Sequence, residues 1–344
     1  MKKLISVLSL SFISVFCFLI ILKPEVCISS SISGLMLCGN VIIPSIYPFT
    51  FGVLFINKSG ALRLLKPLNN ITVKLFGLSY YEFAIFLLSL VGGYPLGAKL
   101  LSQMPSPKND ITINFCINAG PAFIILAVGK GLFKSITIGW VLYLAQVFSS
   151  VILMLILTSK AKKQTKYLKS IRPISPVENF IQSAADAANT VIKICGLVIL
   201  FSCITAYLKI FIKNIKPLYF ITFLCEVTNA VFEAENIIIV SFLLGFAGFS
   251  IWAQVFSLLK ETKINYLRFV VFRALHGGFS ALITFALLKA LKLNVNTISN
   301  NIIFDYKLFI NGPSVAFSLI ITGIVLIISL YNKKYAGNLI EDIV

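Results

Sequence analysis

The chain has 344 residues, of which 58% are hydrophobic and only 12% charged, and its mean hydropathy is +0.95. These values exclude an ordinary soluble domain and make lipid the solvent. The formal net charge of +18 does not imply a nucleic-acid partner, because Lys and Arg cluster in short loops between apolar runs, where they orient the chain and meet anionic headgroups.

Apolar runs of about 20 residues recur along the sequence, the length needed to cross a ~30 Å hydrocarbon core. Lys2 and Lys3 precede a run that continues to Leu22 with no small-x-small site after it. This reads as a retained first helix and not as a cleaved signal. The predicted segments then follow at 4–22, 34–56, 80–103, 111–133, 136–158, 189–211, 217–232, 237–259, 266–289 and 308–331. The expected fold class is therefore all-α, a polytopic transmembrane helical bundle.

Between the fifth and sixth segments, Lys160 to Arg172 carries six basic residues and no acid, the mark of a cytoplasmic loop. The basic N-terminus is expected on the same side, yet five segments lie between them, and an odd number of crossings cannot return the chain to its starting side. The same conflict holds between this loop and Lys333-Lys334. One segment per half is expected to be re-entrant or a broken helix.

The halves also echo each other. Lys66-Pro67-Leu68 with Ile71-Thr72 returns as Lys216-Pro217-Leu218 with Ile221-Thr222, and Gly93-Tyr94-Pro95-Leu96-Gly97-Ala98-Lys99 aligns with Gly248-Phe249-Ser250-Ile251-Trp252-Ala253-Gln254. The similar offsets predict two internal repeats. The domain plan is a first helix over 1–33, a first membrane repeat over 34–158, a basic loop and amphipathic segment over 159–188, a second repeat over 189–331 and a tail over 332–344.

Candidate site residues come from the breaks. Pro95 removes a backbone donor and Gly92, Gly93 and Gly97 weaken the helix around it, freeing polar groups at membrane depth. Such groups either line a cavity, where half-helix N-termini attract anions, or belong to a packed proline kink. Asn118-Ala119-Gly120-Pro121 supplies a second break. Lys99 and its repeat counterpart Gln254 lie near the ends of discontinuous helices; Lys99 either serves function or reaches to the interface. Arg273 and His276, three residues apart, share a helical face and suit a carboxylate, or else Arg273 pairs with a carbonyl or Glu226 while His276 is bonded within the bundle. Asn114 with Asn118, and Glu226 with Asn229, form polar stripes that either coordinate a ligand or link helices.

No nucleophile motif, HExxH or nucleotide-binding loop is present, so an enzyme or ATP-driven pump is not expected, nor is any cofactor. The cysteines lack CxxC spacing and have one His to complement them. They are expected to be reduced thiols, with neither a metal site nor a disulfide framework.

The run Gly93 to Lys99, then Phe115-Cys116-Ile117-Asn118-Ala119-Gly120-Pro121-Ala122-Phe123-Ile124, with Gly248-Phe249-Ser250, Ala253-Gln254 and Arg273-Ala274-Leu275-His276-Gly277, resembles the YlbJ (SpoVV) family of sporulation integral membrane proteins, related to nucleoside-recognition Gate domains. The resemblance covers roughly residues 34–290. It implies a protein of the outer forespore membrane of an endospore former that moves dipicolinic acid towards the spore. A planar dicarboxylate suits a site of Gly93, Tyr94, Pro95, Lys99, Asn118, Gly120, Gln254, Arg273 and His276. The expected partners are this anionic substrate and the bilayer, with homo-oligomerisation left open. The alternatives are a nucleoside-type transporter, for which a cationic cluster is unnecessary, and a non-transporting scaffold for spore morphogenesis.

Overall fold

The computed structural model describes residues 2–103, 109–159, 175–212, 216–234, 236–259 and 264–293. The expected segment at 308–331 lies outside them. Every element among the described residues is helical, as lipid demands of a backbone whose polar groups must be satisfied internally.

Helix α1 spans Lys2–Leu22, α2 Pro24–Leu37 and α3 Ile43–Lys58; a π-turn at Cys38–Ile42 joins the last two into one long rod. After a 3₁₀ stretch at Ala61–Leu68, α4 covers Asn69–Phe76 and α5 Tyr80–Gly92. The two stretches Ala61–Phe76 and Tyr80–Gly92 meet at 84°. The bend has a local cause: Gly77 closes α4 at φ 64, and Ser79 opens α5 with a capping box in which Ser79 N–H donates to Glu82 Oε2 at 2.8 Å while Glu82 N–H donates to Ser79 Oγ.

Helix α6 is Tyr94–Ser102 and α7 Asn109–Thr112. A π-helical stretch, Ala122–Leu132, leads to α8 at Ile136–Ser159. The predicted 111–133 span is therefore not one regular helix. Pro121 cannot supply the N–H that would continue a helix through this region, so the chain from Ile113 to Gly120 runs outside regular helix.

In the second half α9 is Pro176–Ile212, α10 Lys216–Cys225, α11 Val227–Glu233, α12 Ile237–Phe246, α13 Gly248–Leu258 and α14 Tyr266–Ala290. Five stretches are long and apolar enough to cross a membrane: Pro24–Lys58, Ile136–Thr158, Pro176–Phe211, Ile237–Leu258 and Tyr266–Ala290; the bent pair would make a sixth. The α2–α3 rod packs along α9, α14 packs between α8 and α12, and the short helices α6 and α13 pack on each other.

This arrangement sorts side chains by solvent. Leu267, Leu282 and Phe285 of α14 are exposed and would face lipid, whereas Arg273, His276, Ser280 and Thr284 of the same helix are fully buried. A buried ionisable group in a membrane is costly without partners, so its partners show what it does.

Candidate functional site

Four interruptions of helix meet in the interior. Gly93 separates α5 from α6 at φ 86, a conformation that a Cβ would strain, and Pro95 sits in the first turn of α6. Ala247 at φ 71 and Gly248 at φ 68 separate α12 from α13. Neither α6 nor α13 receives a hydrogen bond from a capping side chain at its N-terminus. The two breaks are tied together, since Tyr94 Oη donates to the carbonyl of Leu244 at 2.6 Å.

The third interruption is at Glu226, whose buried carboxylate accepts from Thr228 N–H at 3.0 Å and Asn229 N–H at 2.6 Å and so caps α11. Asn229 Nδ2 donates onward to Ser202 Oγ of α9 at 2.7 Å. The fourth is the irregular stretch before Pro121. A Cβ built on Gly93 would lie 3.5 Å from Gly120 N, so the first and fourth breaks are in contact.

A cleft opens where α6 and α13 face α9. Its outer part, about 50 Å³, is lined among others by Pro95, Lys99, Thr190, Lys193, Gln254 and Ser257. Its inner part, about 30 Å³, reaches Gly93, Tyr94, Gly120, Phe123, Thr228 and again Gln254. These volumes hold a few water molecules and no more.

Lys99 Nζ donates across the cleft to Thr190 Oγ1 at 3.0 Å and to the Asp186 carbonyl at 3.2 Å. Asp186 Oδ2 in turn pairs with Lys58 Nζ at 2.7 Å. Lys58 is the last residue of α3. Gln254 is 3% exposed, and neither its Oε1 nor its Nε2 has a partner among the described residues. A buried amide without partners is unfavourable for the fold. Gln254→Leu is therefore expected to leave thermal stability within about 1 kcal/mol of the parent or to raise it; a drop of several degrees in the melting temperature of the purified protein would assign Gln254 a structural role.

Of the sequence-predicted residues, the structure brings Gly93, Tyr94, Pro95, Lys99, Gly120 and Gln254 to this cleft. Asn118, Arg273 and His276 do not line it. Arg273 Nη2 donates to the Asn114 carbonyl at 2.6 Å, and Nη1 to the carbonyls of Ile117 and, at 3.3 Å, Gly245. One guanidinium thus satisfies carbonyls freed at two breaks, the irregular stretch and the end of α12. Glu226 is engaged at α11 and makes no ion pair with Arg273 among the described residues.

His276 Nε2 lies 3.3 Å from the Gln146 carbonyl on α8. Asn118 Nδ2 donates to Ser89 Oγ at 3.2 Å and to the Phe115 carbonyl at 2.9 Å, while Asn114 Nδ2 donates to the Asp110 carbonyl at 2.7 Å. Asn114 and Asn118 lie in the irregular stretch, so their spacing of four does not make a helical stripe.

Lys193, Thr190 and Asp186 were not singled out by the sequence reading. The signal was present: Asp186, Asn189, Thr190 and Lys193 fall at i, i+3, i+4 and i+7, one polar face on an otherwise apolar helix.

The long apolar helices and buried helix breaks define a polytopic α-helical integral membrane protein. The chain is similar to the sporulation integral membrane protein YlbJ of Bacillus subtilis, 24% identical over 398 aligned positions that cover 95% of this chain and 97% of the relative. That full-length likeness supports membership of the YlbJ family. No family model matches the chain, and no solved structure matches it.

Proposed function

We propose that this protein is a sporulation membrane transporter that moves a small anionic metabolite, dipicolinate, across the outer forespore membrane. The observation that carries the reading is the cleft: a partly buried Lys99 and a buried Gln254 that has no partner among the described residues face it, beside two half-helix N-termini without side-chain caps. A carboxylate entering there would gain the ammonium group, the Gln254 amide and the positive ends of α6 and α13. The name of the Bacillus subtilis relative supports the sporulation context.

In this reading the two halves are repeats of one plan. Lys99 and Gln254 occupy equivalent positions in them and converge on one cleft, and the short helices that carry them pack together. That is the arrangement by which discontinuous helices build midplane sites in secondary transporters. The cleft as it stands holds only a few waters, so passage of an aromatic dicarboxylate requires α6 and α13 to move away from α9. Arg273 and His276 belong to the frame that keeps the breaks in register.

The test is genetic. In a tractable spore former of the same type, the gene is deleted and dipicolinate is measured separately in mother cell and forespore. The expected result is accumulation in the mother cell and depletion of the forespore, unrescued by Lys99→Ala expressed at the parental level. Normal forespore dipicolinate in the deletion would sink the substrate and leave the nucleoside-type and scaffold readings. Full rescue by Lys99→Ala would move the site elsewhere.

A further inference from the structure

Among the described residues, four charged side chains meet at the outer part of the cleft. From α6 comes Lys99, from α3 Lys58, and from α9 Asp186 and Lys193. Helix α13 contributes Gln254 and Ser257 to the lining and no charge, and none of the lining residues is a carboxylate. At this outer part three ammonium groups stand against the one carboxylate of Asp186, while the buried Glu226 carboxylate lies beside the inner part, bonded to the N–H groups of Thr228 and Asn229. Asp186 is committed to Lys58 at 2.7 Å and presents its backbone carbonyl, not its carboxylate, to Lys99. Neither Lys99 nor Lys193 makes an ion pair among the described residues.

The positions of these two lysines differ in a useful way. Lys99 is mostly buried and held by Thr190, facing Gln254. Lys193 is exposed, one helical turn along α9 from Thr190, and lines the same outer part of the cleft. Inward from them the lining changes to apolar side chains such as Ile194, Val198 and Ile251, with Phe123 at the inner end. Once α6 and α13 move away from α9, a ligand with its negative charge at the lysine end and an apolar body matches this lining.

We infer that Lys193 is the second cationic contact of this cleft and that the site selects a dianion, one carboxylate going to Lys99 with Gln254 and the other to Lys193. This rests on the anion-transport reading above and adds a specificity-determining residue to it. Lys193 sets the preference for a dicarboxylate over the matching monocarboxylate, while Lys99 and Gln254 serve both.

The experiment uses the full chain in lipid nanodiscs and isothermal titration with pyridine-2,6-dicarboxylate and pyridine-2-carboxylate. The proteins are the parent, Lys193→Gln, Lys193→Arg and, as a charge control, Lys74→Gln on an exposed part of α4. The parent is expected to bind the dicarboxylate about tenfold more tightly than the monocarboxylate, the size of one charge-assisted contact. Lys193→Gln should bring the dicarboxylate to within about twofold of the monocarboxylate and leave the latter unchanged. Lys193→Arg and Lys74→Gln should keep the parental ratio.

A Lys193→Gln protein with the parental ratio, or one that weakens both ligands by the same factor, overturns the role of Lys193 and leaves the anion reading intact. So does a Lys74→Gln protein that loses selectivity as Lys193→Gln does, since a diffuse field would then explain both. A parent that binds both ligands equally overturns this inference and leaves the anion reading intact, whereas a parent that binds neither overturns the anion-transport reading and this inference with it.

Discussion

Arg273→Ala is expected to cost the folded protein about 3–5 kcal/mol, the scale for removing one partner of a buried charged interaction, and to leave little of it monodisperse in detergent. The guanidinium is fully buried and donates to carbonyls of Asn114, Ile117 and Gly245. Removing it strands carbonyls at two helix breaks in a place that water does not reach. Arg273→Lys offers one ammonium in place of a planar fork and should recover only part of the loss. Thermal unfolding followed by size-exclusion recovery would check this. An Arg273→Ala protein as stable as the parent, yet unable to bind anion, would return Arg273 to the substrate.

The second large effect is steric. A Cβ built on Gly97 would stand 1.9 Å from the Cys116 carbonyl oxygen and 3.0 Å from its carbon, both backbone atoms of the irregular stretch. Gly97→Ala therefore forces α6 away from that stretch, at a cost of about 1–3 kcal/mol or more, and displaces Lys99 two residues further on. Both the melting temperature and anion binding should fall. Gly196→Ala on α9 is the matched control, because nothing lies within 4 Å of its added Cβ. There the better helix former should be neutral or stabilising by about 0.5–1 kcal/mol. Equal melting temperatures for Gly97→Ala and the parent would show that α6 and the Cys116 backbone do not meet as described.

The helical, membrane-spanning character of the chain was legible because lipid allows few alternatives: long apolar runs must form helices there. The break at Gly93 was legible from Pro95 and its glycines. The break at Ala247 has no proline and was reached only by aligning Gly248-Phe249-Ser250 with Gly93-Tyr94-Pro95, since an alanine at φ 71 leaves no compositional trace. The role of Glu226 was hidden for a similar reason. A polar residue in an apolar run can be a ligand, an interhelical bond or a cap, and only the positions of the Thr228 and Asn229 amides decide for the cap.

The cleft itself depends on distances in sequence that no local pattern encodes. Lys58 and Asp186 are 128 residues apart, and Lys99 and Thr190 are 91 apart. Lys193, taken alone, resembles any basic residue reaching from a helix to the headgroups. Arg273 and His276 were readable as a conspicuous buried pair, but the sequence left their partners open, and the partners turned out to be backbone carbonyls.

The most direct test of the central claim is uptake of radiolabelled dipicolinate into liposomes containing the purified parent, Lys99→Gln or Gln254→Leu at equal insertion. Saturable uptake by the parent, lost in Lys99→Gln and reduced in Gln254→Leu while both remain monodisperse, is the result predicted for transport through this cleft. Uptake by the parent no greater than by empty liposomes, or uptake indifferent to both substitutions, would contradict it.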